Sequence, residues 1–142
     1  MKVALAAVNA KYIHSNLAVY SLRANAGVYR DQIALREYTI NQQEDVILKD
    51  LYDLNPSICF FSCYIWNISF VKQIIEDLHQ ILPHMPIWVG GPEVSYEAGK
   101  FLEENPALTG VLVGEGEVIF RNLLHYYDTC SCLSDSEKIQ DL

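Results

Sequence analysis

The sequence predicts an α/β fold in which one parallel, doubly wound sheet carries helices on both faces. Three observations predict it. Short apolar runs alternate with amphipathic stretches along all 142 residues, the rhythm of β-α-β units feeding a parallel sheet. Most of the apolar runs are continuous, as strands covered on both faces require. One run, the second, alternates instead, and that marks it as an edge strand.

The elements follow in order. Residues 3–8 (Val-Ala-Leu-Ala-Ala-Val) form the first strand. Asn16 is placed to cap a helix reaching about Ala26. Residues 32–38 form the alternating strand, with Ile33 and Leu35 set against polar neighbours. Asn41 is placed to open the second helix, with Glu44 and Asp45 in the first turn, where the helix dipole favours acids. Asn55-Pro56 stops it. Residues 58–63 are the third strand. Asn67 is placed to cap the third helix, whose Val71, Ile74, Ile75, Leu78, Ile81 and Leu82 keep helical spacing. Residues 87–89 are the fourth strand, ended by Gly90-Gly91-Pro92, and Ser95 is placed to cap a helix to about Glu104. Residues 109–113 are the fifth strand, and Gly114-Glu115-Gly116-Glu117 turns it into a last helix ending near Tyr127. With the second strand at an edge, the order is 2-1-3-4-5, a flavodoxin-like (Rossmann-like) five-stranded sheet. The expected domain spans 1–127, with 128–142 as linker.

Composition narrows the partners. The formal net charge is -8 and no basic cluster occurs, so a phosphate backbone is repelled and nucleic acid is excluded as a partner. No apolar run approaches the roughly 20 residues of a membrane span, and Asn9 and Lys11 cut the first run too short for a signal peptide. The expected location is cytoplasmic. Cys59, Cys63, Cys130 and Cys132 match no four-ligand zinc spacing. They read as two core thiols and two tail thiols in a reducing compartment.

In such sheets ligands sit beyond the carboxyl ends of the strands, near the switch point between strands one and three. The loops there lack the G-x-G-x-x-G fingerprint and the Walker A lysine. Glu115 and Glu117 stand where a phosphate would want a helix N-terminus. A receiver aspartate is also missing, because Ser62-Cys63 ends strand three. Gly90-Gly91 can bring a ligand onto bare backbone or can serve a tight turn. The Gly114 turn likewise either starts a helix or offers acceptors to an uncharged ligand rim. His14 lies in the first loop without a second or third ligand nearby in sequence, so only a metal held mainly by a macrocycle suits it.

These residues carry a resemblance. The stretch 9–18 (Asn9-Ala10-Lys11-Tyr12-Ile13-His14-Ser15-Asn16-Leu17-Ala18), Val89-Gly90-Gly91-Pro92-Glu93 and Val113-Gly114-Glu115-Gly116-Glu117 together resemble the N-terminal domain of cobalamin-dependent radical SAM proteins. The layout is similar to that of the anaerobic magnesium-protoporphyrin IX monomethyl ester cyclase group. The resemblance implies that cobalamin (vitamin B12) lies across the carboxyl ends of the strands. It implies cofactor contacts from Asn9, Tyr12, His14, Ser62, Tyr64, Gly90, Gly91, Pro92, Glu93, Gly114, Glu115, Gly116 and Glu117, with Ser62 bonding the nucleotide tail. It implies a following radical SAM domain holding S-adenosylmethionine and a 4Fe-4S cluster. No C-x-x-x-C-x-x-C motif occurs in the chain, so the expectation is an excised domain without catalytic residues of its own. Methyl transfer or other radical chemistry would belong to the missing part. Cobalamin domains of the mutase type carry D-x-H-x-x-G, whereas here the text is Tyr12-x-His14-x-x-Leu17. His14 is thus a candidate lower cobalt ligand that lacks its orienting acid.

Two other readings stand beside this one. Tyr12, Tyr64, Ile65 and Trp66 could fill the cofactor space of a degenerate domain with a docking or structural role. Ser62, Cys63 and His14 could converge as nucleophile and base in a small independent enzyme.

Overall fold

The computed structural model describes residues 2–9, 17–63, 68–91, 98–113 and 116–129. Its five strands are β1 (Val3–Asn9), β2 (Ile33–Thr39), β3 (Ile58–Ser62), β4 (Ile87–Gly90) and β5 (Gly110–Leu112). They pair in parallel in the order β2-β1-β3-β4-β5, as the alternating second strand requires. The helices are α1 (Leu17–Ala24), α2 (Glu44–Leu54), α3 (Ile68–Ile81), α4 (Ala98–Glu104) and α5 (Gly116–Thr129).

β1, β3 and β4 bury both faces, and the pleat sorts their side chains between two cores. Ala4, Ala6, Val8, Cys59, Phe61, Ile87 and Val89 pack against Ile47 and Leu51 of α2 and Val71, Ile74, Ile75 and Leu78 of α3. Val3, Leu5, Ala7, Ile58, Phe60 and Trp88 pack on the other side, against Val19 of α1 and Phe120, Leu123 and Leu124 of α5. At about 1.5–3 kcal/mol for each fully buried side chain, the four core residues of α3 are the main source of its stability. Gly110 serves this packing: a Cβ there would stand 2.3 Å from the Trp88 ring. The indole N–H of Trp88 donates to the Tyr127 hydroxyl at 3.1 Å.

Strand ends shift by one residue in β1 to β4, and four further boundaries differ from the sequence expectation. The second helix starts at Glu44, not Asn41. Thr39 and Gln42 close a turn first, with Thr39 N–H donating to Gln42 Oε1 at 2.8 Å and Gln42 N–H to Thr39 O at 3.1 Å. Gln43 therefore takes the cap position, without a side-chain cap bond. Helix α1 ends at Ala24, and a 3-10 helix over Gly27–Gln32 follows; Gly27 at φ +63 turns the chain out of the α-helix. β5 is shorter than anticipated. α5 runs through Thr129, so the anticipated linker start at residue 128 falls within its last turn. Asn55, at φ 48, ends α2 where Asn55-Pro56 was expected to. The Asn16, Asn67 and Ser95 caps lie outside the described residues.

Candidate functional site

The strands finish almost level at their carboxyl ends. Asn9 pairs with Thr39, Ala7 with both Glu37 and Ser62, Ser62 with Gly90, and Gly90 with Leu112. Alternation puts Asn9 in line with Leu5 and Ala7, Ser62 with Ile58 and Phe60, and Gly90 with Trp88. All three therefore belong to the face covered by α1 and α5. The sequence placed these residues on one edge; the pleat also places them on one side of it.

Asn9 is 5% exposed. Its carbonyl accepts from Ile40 N–H at 3.0 Å, and its Nδ2 donates a long bond to Glu37 Oε1 at 3.4 Å. The other Glu37 oxygen accepts from the Tyr20 hydroxyl at 2.9 Å. That bond, then the Glu37 charge, raises the phenol above its ordinary range. One residue further along α1, Ser21 Oγ donates to Glu117 Oε1 at 3.2 Å. Two carboxylates, from β2 and α5, thus fasten neighbouring residues of α1 beside the strand ends. Glu117, one of the expected cofactor contacts, accepts the bond from Ser21 through one of its two carboxylate oxygens. Glu37 was not among the expected site residues. Its signal was an acid on the same parity as Ile33 and Leu35, at the far end of a half-buried strand.

Ser62 is buried, and Cys63 follows it on the opposite side, within the α2 and α3 core. Cys63 N–H donates to Gly90 O at 2.8 Å. Cys59 and Cys63 are both buried, and burial pushes the Cys59 thiol well above its ordinary value. A nucleophilic pair of Ser62 and Cys63 is thus split between the two faces, with Cys63 closed into apolar packing.

The two glycines after β4 differ in kind. Gly91 has φ +118, and a Cβ on it would stand 2.3 Å from the Cys63 carbonyl oxygen. Its bareness is required by the neighbouring backbone. A Cβ on Gly90 would meet only Leu112, at 3.5 Å, an ordinary contact, so packing does not require a glycine there.

Tyr12, His14, Tyr64, Pro92, Glu93, Gly114 and Glu115 lie outside the described residues, and Gly116 enters only as the first residue of α5. The described set (Asn9, Glu37, Ser62, the Gly90 backbone and Glu117) offers an amide, a hydroxyl and carboxylate acceptors, and no cation. It suits an uncharged ligand rich in hydrogen-bond donors and repels a bare phosphate. Among the described residues no His, Cys, Asp and Glu side chains cluster to hold a metal ion, and no helix is long and apolar enough to cross a membrane. Two shallow grooves open at the amino-terminal edge, one bounded by Pro56, Leu82 and Met85 and one by Lys2, Gln32 and Leu54.

Comparison with known proteins gives a consistent result. The B12 binding domain family model matches residues 3–124. The cobalamin-dependent radical SAM methyltransferase TokK of Streptomyces tokunonensis is 34% identical over 71 residues, covering 50% of this chain and 10% of that protein. The chain thus aligns with about a tenth of the length of this curated relative. Among solved structures, the cobalamin-dependent S-adenosylmethionine radical enzyme OxsB, with aqua-cobalamin and S-adenosylmethionine bound, superposes with a TM-score of 0.72 at 18% identity. It covers 90% of this chain and 19% of OxsB. A cobalamin-binding protein from Desulfitobacterium hafniense gives a TM-score of 0.63 at 11% identity, over 88% of this chain and 58% of that one. These structural likenesses establish the flavodoxin-like fold.

Proposed function

This chain belongs to the B12-binding domain family, and on that premise we propose that it holds a cobalamin across the carboxyl edge of its sheet, on the side of α1 and α5. The observation that carries the reading is the uncharged and acidic set of hydrogen-bonding groups at that edge, on the same face as a glycine that packing does not demand. Asn9 offers an amide, Ser62 a hydroxyl, and Gly90 a backbone that a flat ligand can approach. The corrinoid fits this set, because its rim carries amide side chains that donate to such acceptors. When bound, the cofactor supplies an alkyl-carrying cobalt centre. The residues of this chain would bind it, orient it and keep water from one face.

The remaining contacts from Tyr12, His14, Tyr64, Gly91, Pro92, Glu93, Gly114, Glu115, Gly116 and Glu117 are proposed on the resemblance of their loops. His14 is proposed as the lower cobalt ligand. The S-adenosylmethionine and 4Fe-4S cluster of a radical SAM reaction, methyl transfer included, would be held by a separate domain, with this domain as its cofactor module.

The test is an anaerobic titration of the 142-residue chain with hydroxocobalamin and methylcobalamin, followed by the visible spectrum. Saturable binding is expected, with a spectral shift that disappears in His14→Ala. Absence of binding with both forms overturns the proposal and leaves a docking domain without cofactor. Binding with an unaltered shift in His14→Ala removes only the assignment of the lower ligand.

A further inference from the structure

Glu37 enters the edge from β2, opposite Ala7 in the parallel register. It is half-buried. Each of its carboxylate oxygens is engaged, one by Asn9 Nδ2 at 3.4 Å and one by the Tyr20 hydroxyl at 2.9 Å. The two donors come from the end of β1 and the first turns of α1, so a single side chain ties together the strand and the helix that bracket residues 10–16.

The bond to Asn9 has a directional consequence. An ionised carboxylate only accepts, so the end of the Asn9 amide facing it must be the NH₂ group. A flipped amide would set its carbonyl oxygen against a carboxylate oxygen, which is repulsive. Asn9 is also buried, which restricts its rotamers. The carbonyl oxygen is consequently the end turned away from Glu37.

We propose that Glu37 is a positioning residue of the corrinoid site: it fixes the Asn9 amide so that its carbonyl oxygen is offered to an amide N–H donor on the ligand rim. The inference rests on the cobalamin reading above. Tyr20 completes the device by holding the carboxylate in place. The 2.9 Å bond from Tyr20 is the charge-assisted one that anchors the carboxylate, and the longer contact to Asn9 orients the amide chiefly because the flipped amide would be repelled.

The experiment measures hydroxocobalamin affinity by the visible spectrum and the unfolding midpoint of the cofactor-free protein, for the full chain and four variants. Glu37→Gln keeps size and removes the charge; its amide can present either end to Asn9. It is expected to weaken binding about tenfold, with the cofactor-free midpoint close to wild type. Tyr20→Phe frees one carboxylate oxygen and is expected to weaken binding about threefold, as a second, indirect step. Asn9→Asp sets two carboxylates together and is expected to weaken binding more than either. The double variant Asn9→Asp with Glu37→Gln restores a donor opposite an acceptor and still offers an oxygen to the ligand, so it should regain most of the affinity lost in Asn9→Asp. Wild-type affinity in Glu37→Gln, or no recovery in the double variant, overturns the proposal. Losses of affinity that merely track losses in the cofactor-free midpoint assign Glu37 a structural role and also overturn it. A wild-type chain that binds no cobalamin ends both this inference and the reading beneath it, whereas binding that is unchanged in Glu37→Gln ends this inference alone.

Discussion

Gly90 and Gly91 look alike in sequence and have different reasons to be glycine. At Gly91, φ is +118 and the Cys63 carbonyl stands where a Cβ would be. Gly91→Ala should therefore cost about 3 kcal/mol, read as a lowered urea midpoint. Gly90 has room for a methyl group beside Leu112. Gly90→Ala should leave stability within about 0.5 kcal/mol and still weaken cobalamin binding, because the added methyl would occupy the surface on which the ligand is proposed to rest. Full affinity in Gly90→Ala would move the ligand off that backbone. The motif was legible in the sequence, but the division of labour within it was not. It depends on how close the segment after β3 passes, and no local pattern encodes that distance. Glu37 escaped notice for a related reason: its importance comes from Asn9 and Tyr20, which lie 28 and 17 positions away.

At the level of elements, the helices and strands were legible wherever periodicity was strong. α3 buries four residues at helical spacing, and its end falls at Ile81, just before Pro83. The start of α2 was not legible, because Asn41 and Gln43 are both polar and only the Thr39–Gln42 turn decides between them. The 3-10 helix over Gly27–Gln32 was missed entirely, since its one buried side chain, Tyr29, leaves no period to read. The join between α2 and α3 carries a pH response. Glu44, in the first turn of α2, shares a hydrogen bond with Asp77 of α3, and this contact, with partial burial and the Asp77 charge, raises the Glu44 carboxyl from 4.5 to about 7. The folded protein thus keeps a proton that the unfolded chain releases above 4.5. The stability this contact contributes is complete below that value and is lost as pH rises through about 7. Glu44→Gln should accordingly raise the melting temperature above wild type near pH 8 and change it little near pH 4. A gain that is the same at both values would show that the proton is not the cause.

For the molecule as a whole, the order of the sheet followed from one amphipathic strand among four apolar ones, and the location of the candidate site followed from that order. What the sequence could not convey was the side of the edge, which is set by the pleat of three separate strands. If the cofactor binds the folded chain alone, saturation must stabilise it. At a hundredfold excess over Kd the gain is about 2.7 kcal/mol, or roughly 8 °C for a domain of this size, measurable as a hydroxocobalamin-dependent melting curve. A flat response would place binding outside this chain. The Tyr29 hydroxyl meets His125 Nδ1 at 3.0 Å and Asp128 Oδ2 at 3.3 Å, so the last turns of α5 are pinned beside the 3-10 helix, next to the start of β2. By helical rise, the 14 residues of α5 carry the chain about 21 Å away from the strand ends. The end of α5 at Thr129 therefore lies toward the amino-terminal ends of the strands, opposite the edge on which the cofactor is proposed to rest.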